Sequence, residues 1–156
     1  LICEMAAYYK KKGKTLIDVL NEIYEEHGYY IEETVSLSFS GVTGQNKMKA
    51  IMEYFRENKI SSLAGKTIPT INDYKMCTSS NLINGTTVSL NYPKSDVLKF
   101  LFEDGSWLVL RPSGTEPKLK VYFSIKGEDK DKSAVALDKI KREILSIIDR
   151  IQINIG

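Results

Sequence analysis

The chain opens on helical spacing. Leu1, Met5, Tyr8 and Tyr9 fall on one side of a segment that runs to Lys12, and Gly13 ends it. No capping residue precedes Leu1, so the opening reads as the interior of a helix cut from a longer chain. Thr15-Leu16-Ile17-Asp18 carries the capping-box pattern for a second helix, with Leu16, Ile17, Leu20, Ile23 and Tyr24 recurring every three or four residues. Gly28 is its natural stop, and His27 sits favourably at the helix's negative end. From Tyr29 to Phe39 the period changes to two. Val35, Leu37 and Phe39 alternate with Thr34, Ser36 and Ser38, which predicts a strand with one buried face. Ser40 to Gly44 predicts a turn into a third helix running through Asn58, with Met48, Ile51, Met52 and Phe55 on one face.

After Ser61-Ser62-Leu63-Ala64-Gly65 the pattern shortens to strands. Ile71 to Thr78 predicts one strand, Val88 to Tyr92 a weaker one, and Val97 to Phe102 a strong one. Asp104-Gly105 reads as a two-residue hairpin turn leading into Ser106 to Leu110. In Leu119 to Ile125 the residues Leu119, Val121, Phe123 and Ile125 face one way, and Lys118, Lys120, Tyr122 and Ser124 the other. A last helix is predicted from about Lys132 to Ile151, with Leu137, Ile140, Ile144, Ile147, Ile148 and Ile151 as its buried stripe. Asp129 and Asp131 stand at its positive end. Strand, helix, several strands, helix is the order of an α+β fold: an antiparallel sheet with helices packed on one face.

Composition narrows the function. A length of 156 residues holds one domain with a real core and a remnant of a neighbour. Lys plus Arg number 22 against 20 Asp plus Glu, and a net charge of +2 gives no field that argues for nucleic acid or an anionic membrane surface. Cys3 and Cys77 lack metal-type spacing and His27 has no partner histidine, which argues against structural zinc. Buried free thiols in a reducing cytosol are expected instead. No apolar run approaches the roughly 18 residues of a membrane span, and Leu1-Ile2-Cys3 lacks the form of a signal peptide. A cytoplasmic protein is therefore expected.

The candidate chemistry concentrates in Arg111-Pro112-Ser113-Gly114-Thr115-Glu116-Pro117-Lys118, a polar loop between two apolar strands. Arg111 can offer two parallel N–H donors to a phosphate dianion, which lysine cannot. Ser113 and Thr115 add hydroxyls, and Gly114 removes the Cβ that would hold backbone N–H groups away from an anion. Pro112 and Pro117 stiffen both shoulders, so less entropy is lost on binding. Lys118 and Lys120 lie on the same side of the next strand, where either could add charge to that anion or simply face solvent. Glu116, acceptor-only when ionised, pairs with Lys118 or Lys120 or accepts a substrate hydroxyl. Thr78-Ser79-Ser80-Asn81 reads as a polar loop, not a nucleophilic serine motif. Tyr8, Tyr9, Tyr29 and Tyr30 read as partial core or as an interdomain contact.

The run from Arg111 to Lys118, continued by Leu119-Lys120-Val121-Tyr122-Phe123, closely resembles the phosphate-binding loop in the last domain of the α-D-phosphohexomutases, the phosphoglucomutases and phosphomannomutases. Asp104-Gly105-Ser106-Trp107 and Pro93 to Lys99 resemble the bacterial phosphoglucomutase branch, and Leu1 to Tyr9 resembles a helix near the end of the family's third domain. The resemblance implies a TATA-binding-protein-like C-terminal domain over residues 31–156, preceded by a helical remnant of the third domain over residues 1–30. It implies a parent isomerase that moves a phosphoryl group between O1 and O6 of a hexose through a phosphoserine, magnesium and a hexose 1,6-bisphosphate. Arg111, Ser113, Gly114, Thr115 and Lys120 would hold the non-reacting phosphate, with Glu116 and Lys118 in support. Neither the serine nucleophile segment, nor the aspartate-rich magnesium loop, nor the Gly-Glu sugar-recognition loop matches any stretch of this chain. The chain alone is therefore expected to be catalytically silent and to bind no metal, its partners being the hexose phosphate and the parent's upstream domains. A stand-alone module for phosphorylated ligands is the alternative. A nucleic-acid-binding sheet is a third reading, which the near-neutral charge opposes.

Overall fold

A computed structural model describes residues 1–39 and 43–153. Its largest element is built from the alternating segments. Tyr29–Ser38 (β1), Thr70–Asp73 (β4), Thr78–Asn81 (β5), Thr87–Ser89 (β6), Leu98–Leu101 (β7), Trp107–Pro112 (β8) and Lys118–Gly127 (β9) form one antiparallel sheet in the order β1-β9-β8-β7-β4-β5-β6. Ser62–Leu63 (β2) and Lys66–Thr67 (β3) make a separate small hairpin. Four helices complete the described chain: α1 (Ile2–Lys11), α2 (Leu16–His27), α3 (Gly44–Glu57) and α4 (Lys130–Ile153).

Register places the apolar set of each strand on one face. Val35 pairs with Val121 and Leu37 with Leu119. Leu108 pairs with Phe123, Leu110 with Val121, and Phe100 with Leu108. Directly paired residues point to the same side of a sheet, so these side chains form a continuous apolar surface. Against it pack Ile51, Met52 and Phe55 of α3 and Leu137, Ile140, Ile144 and Ile148 of α4, all buried in one core. The fold is α+β, with α3 and α4 covering one face of the sheet and the other face left open. Glu33 breaks the apolar alternation of β1 on the covered face, where Lys141 of α4 donates to both its carboxylate oxygens at 3.0 Å.

The first two helices stand apart from this core. Thr15 and Asp18 form the expected capping box, the Asp18 N–H donating to Thr15 Oγ1 at 3.2 Å and the Thr15 N–H to Asp18 Oδ2 at 2.7 Å. Val19 is the one residue of α2 that is buried, and α1 has none. Leu1, Ile2, Met5, Tyr8, Ile17, Leu20 and Ile23 remain exposed. Tyr24 stacks on Tyr29 at 5.0 Å between centroids, joining α2 to the start of β1.

Several sequence expectations change: Thr78 to Asn81 is no loop but the strand β5, and of Val88 to Tyr92 only Val88 and Ser89 are strand, within β6. Ile71 to Thr78 is not one strand but parts of β4 and β5, separated by a turn. Asp73 Oδ1 accepts the N–H groups of Lys75 at 2.9 Å and Met76 at 3.2 Å, and Cys77 adopts φ +52°. That carboxylate-nucleated turn stops the strand after Asp73. The Asp104-Gly105 connection is longer than two residues. The Phe102 N–H donates to the Ser106 carbonyl at 2.9 Å and the Gly105 N–H to the Phe102 carbonyl at 3.2 Å, with Gly105 at φ +87°. This is a three-residue loop closed by a left-handed glycine. The thiols are not buried: Cys3 is exposed and Cys77 half-buried. The sequence also gave no sign of the β2–β3 hairpin, whose Ala64 and Gly65 both have positive φ, as the tightest hairpin turns require. The predicted turn at Ser40 to Val42 lies outside the described residues.

Candidate functional site

Arg111 is the next-to-last residue of β8 and pairs directly with Lys120 of β9. Leu110 and Val121, their neighbours along the strands, point into the core. Alternation therefore puts Arg111 and Lys120 side by side on the open face. Both are exposed. Among the described residues neither has a carboxylate partner, although Lys118, two residues away, is held by Glu116 at 2.8 Å. That contact depresses the Glu116 pKa, the Lys118 hydrogen bond being the largest cause and the nearby Lys120 charge a smaller one. Of the three cations at this sheet end, one is neutralised and two are not.

The connecting loop is tied at its base. The Ser113 N–H donates to the Lys118 carbonyl at 2.7 Å, the Lys118 N–H to the Glu116 carbonyl at 2.7 Å, and the Phe39 N–H to the Pro117 carbonyl at 2.9 Å. Ser113 Oγ accepts the Glu116 N–H at 3.4 Å, which leaves the hydroxyl proton free to donate outward. The Ser113 amide is thus committed within the loop. The N–H groups of Gly114 and Thr115 and the Thr115 hydroxyl have no intramolecular acceptor among the described residues. A Cβ on Gly114 would meet nothing within 4 Å, so the backbone there is open to an approaching group.

These groups converge on one cavity of about 280 Å³, lined by Arg111, Pro112, Ser113, Gly114, Thr115, Lys120 and Tyr122. The five residues that sequence reasoning picked for phosphate therefore share one concavity. Glu116 and Lys118 are not in its lining. Tyr122 is, and sequence reasoning passed over it. The period-2 pattern was the available signal, since it put Tyr122 on the Lys120 side of the strand.

Other candidate groups have structural occupations. Asp104 Oδ1 accepts the Ser106 N–H at 2.9 Å and Oδ2 is ion-paired with Lys66. Partial burial raises the Asp104 pKa, but those hydrogen bonds outweigh it and leave the carboxyl below its usual range. Among the described residues no group of three His, Cys, Asp or Glu side chains is arranged to hold a metal ion. Ser79 and Ser80 lie in β5, where Ser80 Oγ takes a hydrogen bond from Lys59 at 3.2 Å. No described helix is long and apolar enough to cross a membrane.

Comparison with known proteins decides the family. Residues 45–144 match the family model described as phosphoglucomutase/phosphomannomutase, C-terminal domain. The chain belongs to that family. A phosphoglucomutase of Staphylococcus saprophyticus is 39% identical over 121 residues, an alignment covering 78% of this chain and 22% of the relative. One from Staphylococcus aureus is 40% identical over 126 residues, covering 81% of this chain and 23% of the relative. Pp63/parafusin, a phosphoglucomutase from Paramecium solved in an open form, superposes with a TM-score of 0.59 at 18% identity, covering 93% of this chain and 25% of that one. That likeness speaks to the fold. The chain thus spans under a quarter of the length of these curated phosphoglucomutases. The family model's span, residues 45–144, contains the whole loop and cavity, whereas α1, α2 and β1 lie outside it.

Proposed function

We propose that this phosphoglucomutase/phosphomannomutase C-terminal domain holds the non-reacting phosphate of a hexose phosphate while a parent enzyme moves a phosphoryl group between O1 and O6. The observation that carries the reading is the direct opposition of Arg111 and Lys120 over the loop cavity, with no carboxylate among the described residues to neutralise either. Two like charges so placed suit a dianion between them. The Arg111 guanidinium supplies two parallel donors, Lys120 adds charge, and the Ser113 and Thr115 hydroxyls and the Gly114 and Thr115 N–H groups complete the clamp. Glu116 and Lys118 support the loop by pairing with each other. Their mutual neutralisation keeps a carboxylate from competing with the ligand for Lys120.

In the parent, energy from gripping the remote phosphate orients the reacting end of the sugar. Each end of the hexose is presented in turn, so the clamp must recognise phosphate without regard to the carbon that bears it. The phosphoserine, the magnesium ion on it and the sugar-recognition loop belong to upstream segments of the parent, as does turnover of the hexose 1,6-bisphosphate. Residues 1–28 form the end of the preceding domain, and the C-terminal domain begins two residues before the expected 31–156, because Tyr29 and Tyr30 pair with Gly127 and Lys126 in its sheet. The exposed apolar stripe of α1 and α2 supports that division, since it is the kind of surface another domain covers. A cytoplasmic setting goes with this reading.

Without its opposing domains the loop cannot enclose a ligand, so binding by this chain alone is weak. Millimolar affinity, about −4 kcal/mol, is expected. Titration with inorganic phosphate followed by amide NMR tests the assignment. The Gly114 and Thr115 amides should move most, and the Ser113 amide less because it is committed to Lys118. Shifts confined to residues away from the loop would reject it.

A further inference from the structure

Tyr122 is the cavity residue for which the phosphate reading has no use. It follows Lys120 by two residues on the same face of β9 and pairs with Val109 on one side and Thr34 on the other. The ring is half-buried and lines the cavity together with the loop. Among the described residues its hydroxyl makes no hydrogen bond, and no aromatic ring or cation stacks on it. The contrast with its neighbours is plain: Trp107, one step further along the open face, carries Lys99 Nζ at 4.8 Å from its ring centroid, and Tyr30 carries Lys126 at 5.6 Å. Tyr122 has no comparable engagement among the described residues.

The phosphate oxygens are already well supplied. Arg111 brings two donors, Lys120 one, and the loop two hydroxyls and two N–H groups, against three terminal oxygens. A further donor adds little there. What the clamp lacks is any surface for the carbon skeleton that the phosphate carries. Successive same-face residues of a strand stand about 7 Å apart, so an anion held in the Arg111–Lys120 row has the Tyr122 row as its neighbour along the sheet. An aromatic face offers apolar area to sugar C–H groups, and it does so without reading which hydroxyl points where.

We propose that Tyr122 is a substrate-contacting residue whose ring is the platform for the hexose attached to the bound phosphate, so that the site prefers a sugar phosphate to a small phosphomonoester. This rests on the phosphate reading and adds a preference to it. The test compares glucose 6-phosphate with methyl phosphate, both as dianions at pH 8, by amide NMR titration of the 156-residue protein. The unsubstituted protein should bind the sugar phosphate about three- to fivefold more tightly. Tyr122→Phe should keep that ratio, whereas Tyr122→Ala and Tyr122→Leu should bring it to one while leaving methyl phosphate affinity unchanged. Leucine suits a strand, so it decides the matter if the alanine variant fails to fold. A ratio of one in the unsubstituted protein, or equal weakening of both ligands by Tyr122→Leu, overturns the platform and leaves the phosphate clamp standing. If methyl phosphate does not perturb the loop at all, the clamp falls and the platform with it.

Discussion

Arg111 and Lys120 occupy directly opposed positions on β8 and β9, with their side chains on the same open face. Like charges in such a cross-strand pair repel, at a cost of about 0.5 kcal/mol to the unliganded domain. An anion seated between them would turn that cost into attraction. Lys120→Gln is therefore expected to raise the stability of the free protein slightly and to reduce its response to phosphate. The unsubstituted protein, at phosphate about tenfold above its dissociation constant, should gain about 1.4 kcal/mol. Thermal melts of both proteins in phosphate and in chloride of matched ionic strength would show this. Equal gains in the two proteins would mean that the stabilisation is a general salt effect.

Arg111→Lys separates charge from geometry. Lysine keeps the positive charge but offers a point donor where the guanidinium offers two in parallel. Affinity for phosphate should fall about tenfold, close to the loss in Arg111→Ala, while the unfolding midpoint in urea stays within experimental error because Arg111 is exposed and makes no ion pair among the described residues. In the parent enzyme the same substitution should lower turnover strongly. Full binding by the lysine variant would show that two parallel donors are not needed.

Gly114 gives a cleaner probe of the loop backbone. A methyl group there meets open space within the protein, so Gly114→Ala should fold with unchanged or slightly higher stability. The same methyl would stand in the path of an anion approaching the Gly114 and Thr115 N–H groups. Phosphate affinity should drop by about fivefold to tenfold, measured by the same titration. A variant that binds as well as the original would remove the backbone amides from the site.

Much of this architecture was legible because burial here follows simple periods. Val35 and Leu37 in β1, and Leu119 through Ile125 in β9, show their faces by alternation alone, and the α4 stripe by its three- and four-residue steps. The turns were harder. Asp73 nucleates a turn through its own carboxylate, and Ser106 closes a three-residue loop; both depend on side chain-to-backbone bonds that hydropathy does not register. The site residues announced themselves by chemical type, but which lysine is free did not. Lys118 and Lys120 are equivalent in spacing, and it takes the register opposite Arg111 and the Glu116 contact at 2.8 Å to distinguish them. Nor could a sequence pattern say that the Ser113 amide is used internally while those of Gly114 and Thr115 find no acceptor among the described residues.

The joint between β9 and α4 should be intolerant of any side chain at Gly127. A Cβ at that position would lie 2.9 Å from Ser133 N and 3.0 Å from Ser133 Cα, and closer still to Ser133 Oγ. Ser133 is fully buried, and its single hydroxyl proton is shared between the Asp129 carbonyl at 2.7 Å and the Tyr29 carbonyl at 3.1 Å, fastening the helix start to β1. Backbone atoms cannot give way cheaply, so Gly127→Ala should cost about 2–3 kcal/mol in urea unfolding. A loss below about 0.5 kcal/mol would mean that the helix start adjusts freely.

Acid should weaken the domain through its depressed carboxylates. Asp104 is held below its usual range by Lys66 and the Ser106 N–H despite partial burial, and Asp18 by its hydrogen bonds from Thr15. A carboxyl whose folded pKa lies under its unfolded value contributes stability that is fully present above the unfolded value, about 3.9 for aspartate. That contribution is lost as pH falls through the folded value. Stability against urea should therefore be flat with respect to these groups from pH 5 to 7 and decline below about pH 4. Asp104→Asn retains an acceptor for the Ser106 N–H but cannot ionise, so it should be less stable at pH 7 and show a shallower decline in acid. Parallel acid profiles for the two proteins would show that Asp104 does not carry its share of the dependence.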